Sequence, residues 1–535
     1  MRAVTTRSGR RKPTPRQRPG GILALALAAL GVVASTAPVA GQVRLPYGFA
    51  ASYQTEYSRA RSFGKEIFEN WVDLDYSRGD LTAGLRFVAF QPPDPSVFQG
   101  RASRGVDLYY AEYDSERLKA RAGSFYTQFG RGLALRLYED RPLRLDHNAL
   151  GGIATWRLRQ GEITTLWGQT VEGSAEDARR TRDEPLYGTS FDHTIWEPAK
   201  LMVGGSWATT DVLVDTTTRH LRALNIGSGR LSGTVKGVDL ASEVAVVEGP
   251  NVFPATRKRG FTGPRFQGTG VYASATSSIG GLGLVLEAKD YDALVFQNNA
   301  FKNLNLPPAV LRNHTFNLLN RHPHQLDAAD ERGFQFEGTW VIKNLAMGET
   351  ALLFNSGLTR NHQKANLKNY VDDTYFEIQQ EFGKALSVTA GISHQKVFAS
   401  YDTPDPFRTL WTPVGDVRWR LNDVHSIHLQ LEHQHDRSEY YGSFDVEFAV
   451  LEWSRSPGLT LGLLVEHANK SDLQLDRLVE SRRDFVSGTI DYTLFNQHEL
   501  RLFYGKRNKG FICVGGVCRL EPDFDGFEAS LVSHF

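Results

Sequence analysis

A dense alternation of basic and acidic residues occupies residues 126–148, around a bend that contains two glycines. The charged residues are Arg131, Arg136, Glu139, Asp140, Arg141, Arg144 and Asp146. Fixed charges of opposite sign that face each other across a narrow water-filled space create a transverse field, which orients and filters dissolved solutes. The segment is therefore a candidate pore constriction. An ordinary solvated loop, or a further pair of strands, explains the same pattern.

The two cysteines of the chain, Cys513 and Cys518, bracket Gly515 and Gly516. In an exported protein such a close pair is typical of a disulfide that closes a turn. A metal site is the alternative, but it needs further ligands close by, and none is obvious in the sequence. We expect the disulfide.

Histidines cluster between His425 and His435. His433 and His435 share the outward side of a predicted strand, and two imidazoles at this spacing can share a metal. Two ligands are too few for a tight zinc site, so polar aromatics at the edge of an interfacial girdle are the favoured interpretation. His322 and His324 lie in the longest loop without a specific pattern. We expect no metal and no cofactor.

Catalytic motifs are not apparent. Serine, histidine and aspartate are plentiful, but the sequence lacks G-x-S-x-G, H-E-x-x-H and a Walker loop. Enzymes built on membrane barrels need a Ser/His/Asn set or paired carboxylates at the rim, and no local motif here joins such residues. We therefore expect that the protein is not an enzyme.

Apolar and polar residues alternate from Phe49 to the C-terminus, with almost no sustained helical pattern. A period of two is that of a strand with one apolar and one polar face. With flanking residues, each predicted strand reaches about 9–11 residues, the span that a tilted membrane strand needs. In this interpretation charged side chains on the polar face line a wet pore, among them Glu56, Arg86, Glu432 and Asp491.

The connections between these strands alternate in length. Short connections rich in Gly, Asn, Pro and Asp lie at 496–497, 455–458, 421–423, 381–384, 343–348 and 277–281. Long connections lie at 505–524, 468–483, 436–443, 396–408, 360–372, 294–332 and 248–266. Short periplasmic turns and long external loops alternate in this way in outer-membrane barrels. The count is about 22 strands, with a range of 18–24. Whether the number of strands between residues 185 and 247 is odd or even stays open.

The N-terminus has the three parts of a secretory signal peptide. Residues 1–20 are basic and contain no acidic residue, an apolar run follows, and small residues lead to Gly41. The apolar run is about 14 residues, short of the roughly 20 that a spanning helix needs. We predict that the signal peptide, residues 1–41, is cleaved after Gly41, with cleavage after Ala37 as second choice. A retained membrane anchor is the alternative.

The chain ends on an alternating strand whose last residue is Phe535. This ending resembles the closing strand of bacterial outer-membrane barrels, in which the terminal aromatic residue is read by the barrel-insertion machinery. Strands begin within about ten residues of the predicted mature N-terminus, so residues 42–535 are expected to form one barrel domain. A TonB-dependent transporter, which carries a folded plug before its barrel, does not fit this organisation.

Composition limits the class of partner. The net charge is +1 from 61 basic and 60 acidic residues, so no nucleic-acid partner is implied. Aromatic residues make up 11% of the chain although the mean hydropathy is negative. A polar lumen, a thin apolar outer band and aromatic girdles produce this mixture, and so does a large soluble β-protein.

Two segments carry a family resemblance. They are the run Q-F-G-R-G-L-A-L-R that begins at Gln128, followed by Y-E-D-R at Tyr138, and the ending from Cys513 through C-R and P-x-F-x-G-F-E to Phe535. Both are similar to a functionally uncharacterised family of bacterial outer-membrane barrels. The resemblance implies an exported barrel and supplies no catalytic residues.

The sequence thus predicts an all-β, transmembrane antiparallel barrel, located in the outer membrane after Sec-dependent export. A porin-like channel for small hydrophilic solutes is the favoured function. A receptor, anchor or assembly partner without channel activity is the alternative, with the loops at 248–266 and 294–332 as its binding surface. The expected partners are outer-membrane lipid, the insertion machinery during biogenesis and small solutes.

Overall fold

The computed structural model describes residues 47–60, 66–91, 104–172, 179–215, 217–218, 220–299, 302–311, 313–345, 348–362, 369–399, 407–438, 442–469 and 484–535. The predicted signal peptide and its cleavage sites lie outside the described residues, and they stay predictions.

Twenty-four strands form one closed antiparallel sheet. The chain begins with β1 (Tyr47–Ala60), β2 (Glu66–Arg78), β3 (Leu81–Gln91), β4 (Arg104–Asp114) and β5 (Leu118–Phe125). Two small hairpins outside the barrel sheet follow, β6 (Thr127–Phe129) with β7 (Leu135–Leu137), and β8 (Glu139–Asp140) with β9 (Leu145–Asp146).

The barrel resumes with β10 (Ala149–Leu158), β11 (Gly161–Glu172), β12 (Arg179–Trp196), β13 (Leu201–Asp215), β14 (His220–Val235), β15 (Val238–Pro250), β16 (Arg265–Ile279) and β17 (Leu282–Asp292). It continues with β18 (Asp330–Leu345), β19 (Gly348–Arg360), β20 (Asn369–Phe382), β21 (Leu386–Ala399), β22 (Phe407–Arg420), β23 (His425–Ser438), β24 (Gly442–Arg455), β25 (Leu459–Ala468), β26 (Asp484–Leu494) and β27 (His498–Arg507). A third hairpin, β28 (Gly510–Val514) with β29 (Val517–Glu521), precedes the last barrel strand, β30 (Phe524–His534).

In the part of the chain that the structure describes, helical structure consists of α1 (Pro254–Lys258) and two 3-10 turns, Glu197–Ala199 and Leu318–Asn320. Pro254 begins α1 directly after the extended residue Phe253, because the fixed φ of proline suits the first helical position. Among the described residues no helix is long and apolar enough to cross a bilayer.

The barrel closes between its first and last strands. β30 pairs with β27 on one side and with β1 on the other, in a register that runs from Ser52 opposite His534 to Ala60 opposite Gly526. An even number of antiparallel strands returns the chain to the end at which it began. Short turns connect the strands at that end, the turn end, and the longer connections lie at the other, the loop end. The predicted transmembrane barrel is confirmed, with two strands more than the central count.

The residues between 185 and 247, where the strand count was open, form β12 to β15. The connection between Asp215 and His220 is short although it lies at the loop end. The long connection predicted at 436–443 is likewise reduced to the three residues between Ser438 and Gly442. A short connection at the loop end looks like a turn, which explains why the sequence pattern did not settle whether the strand count between 185 and 247 is odd or even.

Side chains alternate between the lumen and the outer surface along each strand. In β23, Glu432, Gln434 and Asp436 are buried inside the barrel, whereas Leu431 is 51% exposed on its outer face. Seven of the nine tryptophans are also exposed, namely Trp156, Trp167, Trp196, Trp207, Trp340, Trp411 and Trp419. An apolar outer surface with many tryptophans suits a barrel surrounded by lipid and its interfaces.

Several strands are longer than predicted. β12 has 18 residues and β14 and β18 have 16 each, compared with the 9–11 that a tilted membrane strand needs. The additional residues extend the barrel wall beyond the hydrocarbon layer. This wall surrounds the two long connections at the loop end that fold inward.

We call residues 126–148, between β5 and β10, the third loop, because they form the third connection at the loop end. Residues 293–329, between β17 and β18, are the crossing loop. Both pack in one apolar cluster with inward-facing side chains of β10 to β17. The alternation along the strands predicted a polar face towards the lumen, but this part of the lumen is apolar where the two loops pack against it.

The alternation can be tested with single cysteines at neighbouring positions of β26. Thr489 lies on the lumen side, whereas Ile490 is 42% exposed on the outer side. We expect a charged, water-soluble maleimide to label Thr489→Cys in reconstituted liposomes and to leave Ile490→Cys unlabelled, since lipid covers the outer face. The native cysteines are joined to each other. Equal labelling of both variants would contradict the assignment of the two faces.

Candidate functional site

The third loop is bound to the wall of β1 to β3 by charged side chains. Arg86 of β3 donates to Glu139 of the third loop at 2.8 Å and also pairs with Asp73 of β2. Arg141 of the loop donates to the same Asp73 at 3.1 Å and to Gln54 of β1 at 2.5 Å. These side chains are partly withdrawn from water, which strengthens their mutual attraction.

Two glycines allow the beginning of the third loop to approach β15 and the crossing loop closely. A Cβ at Gly130, whose φ is +54°, would lie 2.5 Å from the Glu243 carboxylate, and the next N–H, that of Arg131, donates to this carboxylate at 2.6 Å. The carbonyl of Gly132, whose φ is +89°, accepts from the N–H of Leu306 in the crossing loop at 3.0 Å. The G-R-G motif therefore serves a close backbone approach that only glycine permits.

The second half of the third loop is also satisfied within the protein. Arg144 pairs with Glu69 of β2 at 3.1 Å, and Glu69 is 2% exposed. Asp146 accepts from the hydroxyl of Tyr126 at 3.0 Å. Asp140 accepts from the backbone N–H of Leu143 at 2.9 Å, a local turn contact.

The two remaining predicted arginines lie over aromatic rings. The guanidinium of Arg131 is 5.9 Å from the ring centroid of Tyr272 on β16, and that of Arg136 is 5.1 Å from the centroid of Tyr138. The structure thus brings the predicted residues of the third loop against the lumen wall or against each other. Their role in selecting solutes stays a prediction.

His147 was not singled out by the sequence. Its backbone N–H donates to the carbonyl of Tyr138 at 2.9 Å, and the two rings pack edge to face at 5.5 Å. Burial lowers the pKa of His147 to about 4, and the charge of Lys302 acts in the same direction, whereas Asp146 opposes it. The docked third loop therefore holds a neutral imidazole at neutral pH.

The crossing loop carries a basic stretch, residues 313–324, whose side chains meet carboxylates on four strands. His314 contacts Asp373 of β20 at 2.6 Å, and Arg321 contacts Glu466 of β25 at 2.5 Å. His324 and His322 contact, respectively, Glu331 of β18 at 2.7 Å and Asp436 of β23 at 3.7 Å.

The backbone of the basic stretch is bound to β23 as well. Glu432 accepts from the N–H groups of Asn317 and Leu318 at 2.9 and 2.7 Å, where the 3-10 turn begins. The side-chain amide of Gln434 donates to the carbonyl of Leu318 at 2.7 Å. The sequence predicted a long external loop here, which would be a binding surface if the protein were a receptor, anchor or assembly partner. The only local signal was its basic residues, because their partners lie up to about 145 positions away.

A buried ion pair holds the base of the crossing loop. Lys289 of β17 pairs with Glu331 of β18, both side chains are fully buried, and His324 contacts the same carboxylate oxygen. Lys289 also donates to the carbonyl of Ala309 in the crossing loop. Removing one partner of a buried ion pair costs about 3–5 kcal/mol, so this end of the loop is firmly attached.

The hairpin β28–β29 lies over the crossing loop. Cys513 and Cys518 face each other across it, with their Cα atoms 4.1 Å apart and their sulfur atoms bonded, as predicted. The carbonyl of Cys513 accepts from the side chain of Asn313 at 2.7 Å, and that of Gly516 accepts from the N–H of Leu326 at 2.9 Å. The hairpin therefore covers both ends of the basic stretch.

The other predicted residues lie away from these loops. His433 and His435 face outward near the loop end, and Asp445 of β24 lies 3.7 and 2.7 Å from them. The described residues contain no group of three or more potential metal ligands. The main chain of Phe535 exchanges hydrogen bonds with Ala51 at 2.8 and 3.2 Å, so it extends the closing seam. Its role as an insertion signal stays a prediction.

A protein-family model described as a family of unknown function, DUF6029, matches residues 50–535. No curated protein matches the chain. Similar solved structures include the siderophore receptor PirA from Pseudomonas aeruginosa, with 10% identity over 91% of this chain and 80% of that chain and a TM-score of 0.42. The P pilus usher PapC translocation pore has 8% identity over 91% and 99%, with a TM-score of 0.39, and OpdK from Pseudomonas aeruginosa with vanillate has 11% over 76% and 98%, with a TM-score of 0.34.

Neutralising Arg131, Arg136 and Arg141 together with glutamine tests the constriction hypothesis. Removal of three positive charges from the third loop should shift ion selectivity towards cations, because the neighbouring carboxylates remain. Reversal potentials across a salt gradient in planar bilayers measure this. Arg265→Gln, which removes an exposed arginine paired with Glu248, is the control and should change nothing. Unchanged selectivity in the triple variant would refute the hypothesis.

Acidification should loosen the third loop. An unfolded histidine has a pKa of about 6.5, whereas the docked His147 has one of about 4. Release of the loop therefore takes up a proton between these values, and docking weakens as the pH falls from about 6.5 to 4.

We expect limited proteolysis within the third loop to accelerate over this pH range. In His147→Gln, which has no titrating group at this position, the acceleration should be much smaller. If both proteins show the same pH profile, His147 is not the responsible group.

Proposed function

We propose that this chain, which belongs to the DUF6029 family of unknown function, is a gated outer-membrane channel for small hydrophilic solutes. One observation carries the proposal. Two segments at the loop end fold into a closed barrel. On the side of β18 to β25, beside small apolar clusters around Phe316 and Leu318, the crossing loop is bound to the wall by polar and charged contacts. Water or a polar solute can replace such contacts, whereas it cannot replace the backbone ladder of the barrel.

The outer surface supports the membrane location. Outward-facing tryptophans lie close to the turn end in β10, β12, β18 and β22, namely Trp156, Trp196, Trp340 and Trp419. Tryptophan favours the boundary between lipid and water. Export through the Sec pathway and insertion by the barrel-insertion machinery are part of the same proposal.

The lumen near the turn end supports a water-filled route. Arg418 of β22 and Arg501 of β27 point inward, yet their side chains are 70% and 68% exposed. Each pairs with an inward carboxylate, Asp416 and Asp491 respectively. Exposed ion pairs of this kind contribute little to stability, and they suit a solvated vestibule below the loops.

A scaffold or receptor without channel activity is the second candidate. It is favoured by the extensive burial of the crossing loop, which includes fully buried side chains at its base. A loop that never leaves the lumen would make the barrel a closed support. The two candidates differ in whether the basic stretch can leave its binding place.

Planar bilayers separate the candidates. We expect the native protein to open rarely, and a variant whose residues 313–324 are replaced by a Gly/Ser linker of equal length to conduct continuously. Both proteins should migrate faster in gels before boiling than after it, which verifies that the barrel is intact. If neither intact protein conducts, the channel proposal is wrong and the scaffold is supported.

A further inference from the structure

The wall from β20 to β25 presents acceptors to the basic stretch from several strands. Asp373, Glu432, Asp436 and Glu466 each contact a basic side chain or a backbone N–H of residues 313–324. The wall contributes one buried cation of its own here, Arg408, which donates to Asp436 at 2.7 Å. Arg321 thus supplies positive charge, and the backbone of the basic stretch supplies N–H donors, to a predominantly acidic surface.

The same surface has more acceptors than the basic stretch can satisfy. Oδ1 of Asp436 and the Oε1 atoms of Gln395 and Gln434 are buried and have no hydrogen-bond donor among the described residues. The three side chains are 0%, 4% and 0% exposed. A buried acceptor without a donor is unfavourable, because it has lost its hydrogen bonds to water and gained none within the protein. A better occupant of this surface would therefore bring additional donors.

We propose that this surface is a binding site for cationic solutes and that the basic stretch is its built-in occupant. The ligand class is a solute with guanidinium or ammonium groups, because these groups combine positive charge with several N–H donors. The guanidinium of Arg321 already contacts Glu466 in this manner. The inference rests on the proposed channel, since it names the solutes that open it.

Competition is the physical basis of opening. A cationic solute and the basic stretch bind the same carboxylates, so occupancy by the solute favours the displaced loop. The apparent affinity for the solute is reduced by the fraction of time that the loop occupies the site. A change that weakens the binding of the loop must therefore raise the apparent affinity for the solute. A change that removes a carboxylate from the wall must weaken the binding of both the loop and the solute.

The dipeptide Arg-Arg is the probe, with Glu-Glu and Gly-Gly as matched peptides. In planar bilayers Arg-Arg should increase the open probability of the native protein about tenfold, which corresponds to about 1.4 kcal/mol, whereas the other two peptides should leave it unchanged. An equal effect of all three peptides, or no effect of Arg-Arg on a conducting protein, would overturn the inference.

Two substitutions should act in opposite directions. Arg321→Gln removes the guanidinium of the built-in occupant and should lower the concentration of Arg-Arg that gives half-maximal opening. Glu466→Gln removes a wall carboxylate and should raise it. A merely structural effect of losing their contact moves both variants in the same direction, and this outcome would refute the competition.

Arg265→Gln is the control, because this exposed arginine of β16 pairs with Glu248 of β15 and is not part of the wall from β20 to β25. It should respond to Arg-Arg as the native protein does. Faster migration in gels before boiling verifies that each variant has folded. If the intact native protein, the variants and the protein with the Gly/Ser linker all fail to conduct, the channel proposal fails. Conduction without a preference for Arg-Arg overturns this inference alone.

Discussion

Closure of the sheet is the constraint on which the rest of the structure depends. A strand in hydrocarbon must pair every backbone N–H and C=O within the protein, because no water is available to do so. Pairing of β1 with β30 removes the two free edges, and Phe535 extends the seam by two further hydrogen bonds to Ala51. Twenty-four strands enclose a wide interior, and the third loop and the crossing loop fill part of that interior.

The interior is filled by two different kinds of contact. Against β10 to β17 the loops pack apolar side chains, such as Leu135 and Phe296, on inward residues such as Leu186 and Leu224. Apolar burial of this kind is stable and not easily exchanged with solvent. Against β1 to β3 the third loop makes charged contacts. From β18 to β25 the crossing loop makes charged and polar contacts beside three small apolar clusters. The side of β10 to β17 therefore anchors the loops by apolar burial, and on the other side a polar ligand can replace the charged and polar part of the contacts.

Much of the fold followed from local patterns. Alternation along the strands predicted which residues face inward. Arg86 and Glu432 do so, and they bind the third loop and the crossing loop respectively. Alternating connection lengths predicted most of the topology, although the connections between Asp215 and His220 and between Ser438 and Gly442 are short at the loop end. The prediction that polar side chains line the whole lumen was wrong for β10 to β17, where inward residues are apolar. Local alternation cannot show that Leu186 or Leu224 faces inward, because an inward apolar residue looks the same as an outward one until its partner is known.

The candidate site depended on contacts between distant residues. The pairing of Arg321 with Glu466 joins positions 145 residues apart, and Lys289, Ala309, His324 and Glu331 meet only when the crossing loop turns back into the barrel. By itself the sequence determined the class of fold, the direction of side chains along most strands and the disulfide, because period, turn chemistry and cysteine spacing are local properties. Only the tertiary structure decided which loops enter the lumen and which carboxylates receive them, because these depend on how closure brings distant strands around a shared interior.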